Sequence, residues 1–412
     1  MSTYARRGTL VAVAATAIAL LAAGCSSNSS SKPKSSSGGS SSDDIVLGAT
    51  APLTSAVYSE PTLKTGLEAA IASVNAAGGV AGHKLKLDFC DSQYTVNGEL
   101  SCARKFVSDK VSVAMDPYFL ADQSGTEVTL LQKAGIPIFG SQGLSPAELN
   151  NPAVYPLGSG LPGWTFGAVG SLLQNGVKKI SILVDTNPGS QFAAKLIQGA
   201  VQSAGMSASI VSGDPNSDPT FATAAAKATS GGVDGVALFP SPLSVPKMIG
   251  ALKQGGYTGK ISLPTVIFSQ QVITALGSAA EGVLADSQVS LLTDTANPGV
   301  TKYLADIKQY GKNDPTDASI FAWSAVQVFA KAVAGAKSVD AKGITAALNS
   351  VTTPIDVGTV GPWKAAGVTS PLKDFSRILN PTVTYGVVQN GKLVSNGKGF
   401  INPFTELTGL NK

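Results

Sequence analysis

Short apolar runs alternate along the chain with segments in which apolar residues recur at helical spacing. The first apolar run, residues 45–49, predicts a buried strand. Leu63, Leu67, Ile71 and Val74 then recur with the period of a helix, and two glycines at 78–79 end the predicted helix. Continuous apolar strands that alternate with helices are typical of parallel sheets covered on both faces, so the pattern predicts an α/β fold.

The alternation of strand and helix occurs in two series. Further predicted strands of the first series lie at 84–89, 111–115 and 136–139, and those of the second lie at 179–184, 206–211, 233–239 and 261–268. Between the series, residues 150–163 are rich in proline, glycine and asparagine, as expected of a domain junction. Beyond the second series we predict a strand-like run at 282–290, a helical region at 298–350, and late strands near 356–361 and 383–388.

The two series predict two doubly wound parallel-sheet lobes that are joined by crossover strands, with a ligand cleft between them. We assign residues 44–158 and about 286–360 to the first lobe, and residues about 159–285 and 361–412 to the second. Open α/β sheets bind ligands beyond the carboxyl ends of their strands. We therefore expect ligand contacts in the loops that follow the strands of both lobes.

The N-terminal residues have the layout of an export signal. Arg6 and Arg7 precede an uncharged apolar run at 10–23, which as a helix would rise about 21 Å and fall short of the roughly 30 Å of a bilayer core. The sequence Leu21-Ala22-Ala23-Gly24-Cys25 resembles the bacterial lipoprotein box, in which the cysteine is lipidated and becomes the mature N-terminus. This predicts a signal peptide at 1–24 and a bacterial protein anchored through Cys25 on the extracytoplasmic face of the cell membrane. An ordinary signal with an incidental cysteine is the alternative.

Serine dominates the segment after Cys25, and residues 25–43 contain almost no apolar side chain to bury. This composition predicts a flexible tether, which as a random coil would span about 20–25 Å. An exported chain meets oxidising conditions, so we expect Cys90 and Cys102 to form a disulfide; two free buried thiols are the alternative.

Composition and charge narrow the function. The chain has 412 residues, of which 43% are hydrophobic, and its 30 basic and 26 acidic residues give a net charge of +4, so disorder and a nucleic-acid-binding stripe are both disfavoured. One histidine, His83, and three cysteines supply too few ligands for the usual zinc sites. We find no nucleophile elbow and no phosphate-binding P-loop. The sequence predicts no catalytic residues, no metal, no cofactor and no enzymatic activity.

One glycine motif points to another class of protein. Residues 158–163 match G-x-G-x-x-G, and Asp185 follows at about the spacing of a ribose-binding acid, as in a secreted nucleotide-dependent α/β enzyme. Pro152 and Pro156 make the preceding residues a poor central strand, and Pro162 removes one backbone donor from the presumed phosphate loop. We therefore interpret these glycines as part of the junction between the lobes.

The first 40 residues of the globular region carry a family resemblance. The runs Ile45-Val46-Leu47-Gly48, Ala51-Pro52-Leu53-Thr54, Gly66-Leu67-Glu68-Ala69-Ala70 and Val74-Asn75-Ala76-Ala77-Gly78-Gly79-Val80 resemble the N-terminal signature of the leucine/isoleucine/valine-binding protein family. That family consists of solute-binding proteins of ABC importers with the type I periplasmic binding fold. The resemblance implies a small-molecule solute, an ABC permease as partner and hinge closure of the lobes; we expect a monomer.

The candidate ligand-binding residues follow the predicted strands. They are Tyr58, Asp116, Pro117, Tyr118, Phe119, Ser141, Gln142 and Gly143 in the first lobe, and Asn187, Ser190, Ser241, Phe268, Gln270 and Gln271 in the second. Asp116 and Pro117 also suit the first two positions of a helix, which is their structural alternative. Trp323, with its apolar neighbours, is read as a core residue.

The nature of the solute is the least determined point. Amino-acid binders of the resembled family hold the ligand ammonium with an acidic side chain of the second lobe, and Gln270 or Gln271 stands at about that position. Burying an ammonium without a carboxylate is costly, so the sequence favours a neutral, amide-like or aromatic solute over a plain aliphatic amino acid. A solute-sensing receptor of the same fold, without transport, is the alternative function.

Overall fold

The computed structural model describes residues 44–56, 58–119 and 124–409. Cys25, the predicted signal peptide and the predicted tether lie outside the described residues. The strands are β1 (Ile45–Ala51), β2 (Leu85–Asp91), β3 (Val113–Met115), β4 (Ile138–Phe139), β5 (Val154–Tyr155), β6 (Ile180–Asp185), β7 (Ser209–Gly213), β8 (Gly235–Leu238), β9 (Lys260–Pro264), β10 (Leu284–Ser287), β11 (Thr384–Gln389) and β12 (Lys392–Ser395).

The helices alternate with these strands along the chain. They are α1 (Pro61–Ala76), α2 (Val96–Ser108), α3 (Thr126–Lys133), α4 (Pro146–Asn150), α5 (Gly160–Gln174), α6 (Pro188–Ser203), α7 (Ala222–Ala228), α8 (Val245–Gln254), α9 (Gln270–Leu276), α10 (Pro298–Tyr310), α11 (Asp317–Ala332), α12 (Ala341–Asn349) and α13 (Pro403–Gly409). None of the described helices combines the length and the apolar composition that a membrane span requires.

The strands form two sheets. The first sheet has the order β2-β1-β3-β4-β5 and is parallel throughout. The second has the order β12-β11-β10-β9-β8-β6-β7 and is parallel except that β11 runs antiparallel to both β10 and β12. Apolar cores lie on both faces of each sheet, because the strands are buried on both sides. The predicted fold class, two doubly wound α/β units with mainly parallel sheets, is confirmed.

The chain passes between the two sheets three times: from β5 to α5, from β10 to α10, and from α12 to β11. These crossings are hydrogen-bonded to one another. The Asn380 side-chain amide donates to the carbonyl oxygens of Leu157 at 2.9 Å and Gly361 at 3.1 Å, which links the first crossing to the third. The Ser290 amide donates to the Thr359 carbonyl oxygen at 2.8 Å, which links the second to the third.

One detail of the sequence prediction is wrong. The late strand expected at 356–361 is absent from the described structure, where only an isolated bridge joins Ile355 to Trp363. This segment instead bonds to the second crossing, since the Asn297 side-chain amide donates to the Gly358 carbonyl oxygen at 2.6 Å. The predicted junction at 150–163 contains the two-residue edge strand β5 and the first passage between the sheets.

The glycine motif at 158–163 overlaps the start of α5. A Cβ atom on Gly158 would lie 1.6 Å from Oε1 of Gln288, and one on Gly163 would lie 1.9 Å from Oγ of Ser159. These two glycines therefore make room for neighbouring side chains at the first and second crossings. Trp323 is a core residue, as expected, with 1% of its surface exposed.

A disulfide joins Cys90, in β2, to Cys102, in α2, with a Cα–Cα distance of 5.6 Å. The predicted pairing is confirmed. Among the residues that the structure describes, no group of three or more His, Cys, Asp or Glu side chains is placed to hold a metal ion.

Candidate solute-binding site

A cavity of about 490 Å³ is lined from both sheets. On the side of the first sheet it is bordered by the loop that precedes α1, by Tyr118, by Gln142 and by the N-terminus of α11. On the side of the second sheet it is bordered by residues 265–271, which follow β9, and by residues 287–289, at the end of β10. The cavity thus lies where the carboxyl ends of strands from both sheets contribute loops, the position at which α/β sheets bind ligands.

Five of the residues predicted from the sequence line this cavity: Tyr58, Tyr118, Gln142, Gln270 and Gln271. The Tyr58 hydroxyl lies 3.4 Å from that of Tyr118, and their ring centroids are 6.4 Å apart. Gln270 is exposed at the rim, where its side-chain nitrogen donates to the Gly391 carbonyl oxygen at 2.8 Å. The two tyrosines supply aromatic surface, and the glutamines supply amide groups.

The other predicted residues of the first series are buried beside the cavity and do not line it. These are Asp116, Pro117, Phe119, Ser141 and Gly143. The backbone N–H of Asp116 donates to the Phe139 carbonyl oxygen at 2.8 Å, and neither carboxyl oxygen has a hydrogen-bond partner among the described residues. Burial, reinforced by the nearby Glu148 carboxyl, raises the pKa of Asp116 well above its ordinary value. The helix-cap alternative for Asp116 and Pro117 finds no described helix beginning there.

The remaining predicted residues of the second series organise the structure around β6 and β9. Asn187 caps α6, its side-chain oxygen accepting from the Gly189 amide at 2.9 Å. The backbone amide of Ser241 donates to Oδ2 of Asp185 at 3.0 Å, and its hydroxyl donates to the same oxygen. Although burial opposes it, hydrogen bonds from Ser241, Ser190 and other donors hold the pKa of Asp185 below its ordinary value. Phe268 is buried in the core of the second sheet.

Sequence reasoning missed two acidic side chains in the cavity, Glu60 and Asp317. Both lie at the start of a helix: Glu60 directly precedes α1, and Asp317 is the first residue of α11. Burial raises the pKa of Glu60, and hydrogen bonds from Thr62 and Tyr58 offset this only in part. Burial raises the pKa of Asp317 to about 6, aided by the charge of Glu60 and opposed by a hydrogen bond from Thr265.

The two acids are held in fixed positions by the packing of α1 against α11. The Thr62 hydroxyl donates to Glu60, and its oxygen lies 2.6 Å from that of Thr316. Thr316 and Ser319 form a reciprocal cap at the start of α11. The pair Glu60-Pro61, an acid followed by proline at a helix start, is the sequence signal that could have drawn attention to Glu60.

Several buried polar atoms of the lining have no hydrogen-bond partner among the described residues. They include Oε1 of Gln142 and Nε1 of Trp164, whose residues are 6% and 3% exposed. Buried polar groups are normally hydrogen-bonded, and an unpartnered one costs about 1–3 kcal/mol. An acceptor and a donor are therefore available in the wall of the cavity for a bound molecule.

Comparison with known proteins agrees with this arrangement. Residues 44–370 match the family model described as periplasmic binding protein. The Leu/Ile/Val-binding protein homolog 1 of Brucella abortus is 25% identical over 319 residues, covering 74% of this chain and 82% of that protein. The leucine-, isoleucine-, valine-, threonine- and alanine-binding protein of Pseudomonas aeruginosa is 23% identical over 324 residues, covering 77% and 85%. The crystal structure of an extracellular ligand-binding receptor from Verminephrobacter eiseniae superposes with a TM-score of 0.73 at 20% identity, covering 85% of this chain and all of that one.

Proposed function

The chain belongs to the periplasmic binding protein family, and on that premise we propose that it captures a small polar solute outside the cytoplasmic membrane and delivers it to an ABC permease. The names of the Brucella and Pseudomonas relatives, which refer to branched-chain and other amino acids, support a solute of amino-acid size and type. The observation that carries the proposal is the cavity of about 490 Å³, lined by polar and aromatic side chains from both sheets.

We propose the lobe division given above, in which each lobe contains one sheet, and closure by a hinge at the three crossings. Two features support the hinge: the crossings are bonded to one another through Asn380 and Ser290, and the second crossing begins at residues 288–289, which line the cavity. Tyr58, Tyr118 and Gln142 then contact the solute from the first lobe, and Gln270 and Gln271 from the second. A solute that contacts both sides stabilises the closed state by its differential affinity for that state.

Thermal unfolding of the purified protein against amino acids, amines, amides and aromatic acids tests the proposed binding. A solute that binds raises the unfolding temperature, since it stabilises the native state by RT ln(1 + [L]/Kd). Small-angle scattering with the best solute should then give a smaller radius of gyration than without it, and a non-binding solute of similar size is the control. Tight binding with an unchanged radius of gyration would contradict closure.

Attachment to the membrane through lipidated Cys25 is a separate part of the proposal, supported by the sequence that surrounds this cysteine. We expect Cys25→Ser to move the protein from the membrane fraction to the soluble fraction of the producing cells. Ser30→Ala, a substitution within the same serine-rich segment, should leave the protein with the membranes. Recovery of Cys25→Ser from membranes at the wild-type level would refute the anchor.

A further inference from the structure

The charged side chains that line the cavity are all acidic. Glu60 and Asp317 are both among its lining residues, and no lysine, arginine or histidine is found among the described residues that line it. None of the ion pairs among the described residues involves either acid. The two carboxyls also interact with each other, since the charge of Glu60 contributes to the raised pKa of Asp317. A bound cation would relieve this repulsion.

The ordinary structural role of an acid at a helix start does not account for these two residues. Glu60 stands at the cap position of α1 without a regular side-chain capping bond, and the Thr62 backbone amide makes the smallest of the hydrogen-bond contributions that oppose the rise in its pKa. At α11 the cap is provided by Thr316, together with Ser319, and not by Asp317. Both carboxyls instead accept side-chain hydroxyl hydrogen bonds at the cavity, Glu60 from Tyr58 at 3.3 Å and from Thr62, and Asp317 from Thr265.

A second, independent observation is the set of unpartnered polar atoms in the same cavity. Oε1 of Gln142 is a buried acceptor and suits an N–H donor of a solute. Nε1 of Trp164 is a buried donor and suits a carbonyl or carboxylate oxygen. The aromatic rings of Tyr58 and Tyr118 line the cavity as well, and aromatic faces attract cationic nitrogen.

We propose that this cavity selects a solute that carries a cationic nitrogen, ammonium or amidinium, with Glu60 and Asp317 of the first lobe as its counter-charges. The inference rests on the proposed solute-binding function and names the class of solute. It reverses the preference for a neutral or aromatic-acid solute that the glutamines at 270 and 271 suggest from the sequence alone. A carboxylate in place of the cation would lie against two acids and leave all three charges without compensation.

Matched sets of solutes separate the charge from the size of the ligand. Benzylamine, benzamide and benzoate share one ring, and L-leucinamide, 4-methylpentanamide and 4-methylpentanoate share one branched chain. Measured by thermal shift and by calorimetry on the whole mature protein, the amine-bearing member of at least one set should bind at least about tenfold more tightly than its neutral and anionic counterparts.

Three variants test whether the two acids are responsible. Glu60→Gln and Asp317→Asn should each weaken binding of the amine by about tenfold or more, because each removes a counter-charge and keeps the shape. Glu68→Gln is the matched control, since Glu68 lies within α1, its side chain is 40% exposed, and it pairs with Lys64 at 3.7 Å outside the cavity. It should leave the affinity unchanged.

The pH dependence of wild-type binding tests the inference without any substitution. Benzylamine stays cationic between pH 5 and 8, so a change in its affinity reports on the protein. As the pH falls through the pKa of Asp317, about 6, this carboxyl loses its charge and the amine should bind more weakly. Two titratable groups interact with Asp317: Glu60 has a raised pKa and acts in the same direction, and the raised pKa of Tyr303 keeps its phenol neutral. Tyr58 and Tyr118, which interact with Glu60, also have raised pKa values and stay neutral throughout.

Three results would overturn the assignment: no preference for the amine-bearing member in either set, undiminished amine binding in both Glu60→Gln and Asp317→Asn, or amine affinity that does not fall between pH 8 and 5. If an amide or acid binds more tightly than the amines and also reduces the radius of gyration, the cationic-solute inference is refuted and the proposed solute-binding function is supported. If no member of either set, and no solute of the wider screen, binds at all, both proposals fall.

Discussion

Gly66 is the residue through which α1 approaches α11, and Gly66→Ala is the sharpest test of this packing. A Cβ atom built on Gly66 lies 2.1 Å from the carbonyl oxygen of Ser319 and 2.8 Å from its Cα atom. The atom in the way is backbone and cannot rotate aside. The Ser319 residue is fixed further by the cap with Thr316 and by the Tyr303 hydroxyl, whose oxygen is 2.5 Å from that of Ser319. The helices must therefore separate by about 1 Å to restore an ordinary contact.

The expected magnitude follows from two opposed terms. Alanine is favoured over glycine in a helix interior by about 1 kcal/mol, and overpacking a close contact costs about 1–3 kcal/mol. Because the backbone that must move is part of a helix cap, we expect an overpacking cost in the upper part of its range. The net loss in the free energy of unfolding is then about 1–2 kcal/mol. Gly199→Ala in α6 is the control, since no atom lies within 4 Å of a Cβ atom built there. It should gain about 0.5–1 kcal/mol.

Urea unfolding followed by far-UV circular dichroism measures both variants in one buffer, and the midpoint and slope give the free energy of unfolding. We expect Gly66→Ala to be about 1.5–3 kcal/mol less stable than Gly199→Ala. The separation also displaces Glu60 and Asp317, which begin the two helices, so the Gly66 variant should bind the solute more weakly. Equal stability of the two alanine variants would refute the argument that this contact requires glycine.

Two further predictions concern stability. Removing the disulfide with Cys90→Ser and Cys102→Ser together should cost about 3 kcal/mol in the free energy of unfolding, the value for a loop of this length; reductant should then lower the unfolding midpoint of wild type and not that of the double variant, and an equal effect on both would contradict it. Burial raises the pKa of Asp286 well above its ordinary value, and its carboxyl oxygens have no partner among the described residues. The folded state therefore keeps this proton after the unfolded state has lost it, above about pH 4, so stability falls as the pH rises, by up to about 1.4 kcal/mol per pH unit. Asp286→Asn should gain stability relative to wild type between pH 5 and 8 in thermal unfolding, and parallel curves would exclude this contribution.

The fold was predictable from the sequence because its strands are buried on both faces. The apolar runs at 45–49 and 179–184 fall within β1 (Ile45–Ala51) and at β6 (Ile180–Asp185) for this reason. The prediction failed at 356–361, where Val357 and Val360 pack against the core of the first sheet without strand pairing. Apolar side chains alone do not distinguish a strand from an irregular segment that covers a core.

The pairing of the two acids in the cavity could not be predicted from the sequence, for a different reason. Glu60 and Asp317 are far apart along the chain and both lie at the start of a helix, whereas the sequence-based site prediction followed the carboxyl ends of strands. They meet because α1 and α11 pack at the distance that Gly66 allows, a tertiary contact with no local signal in the sequence. The sequence argument therefore looked for a counter-charge in the second lobe only, whereas the proposed counter-charges lie in the first.

The location of both acids in one lobe has a consequence for the order of binding. If Glu60 and Asp317 are the counter-charges, the first lobe alone satisfies the charged end of the solute, and the second lobe contributes neutral groups such as Thr265 and Gln271. Thr265 already donates a hydrogen bond to Asp317, so the two lobes meet at the acid itself.

We therefore expect charge-removing variants to weaken the first encounter, and Gln271→Ala to weaken closure. Stopped-flow mixing separates the two: Asp317→Asn should lower the association rate, whereas Gln271→Ala should mainly raise the dissociation rate. An unchanged association rate in Asp317→Asn would place the first contact elsewhere in the cavity.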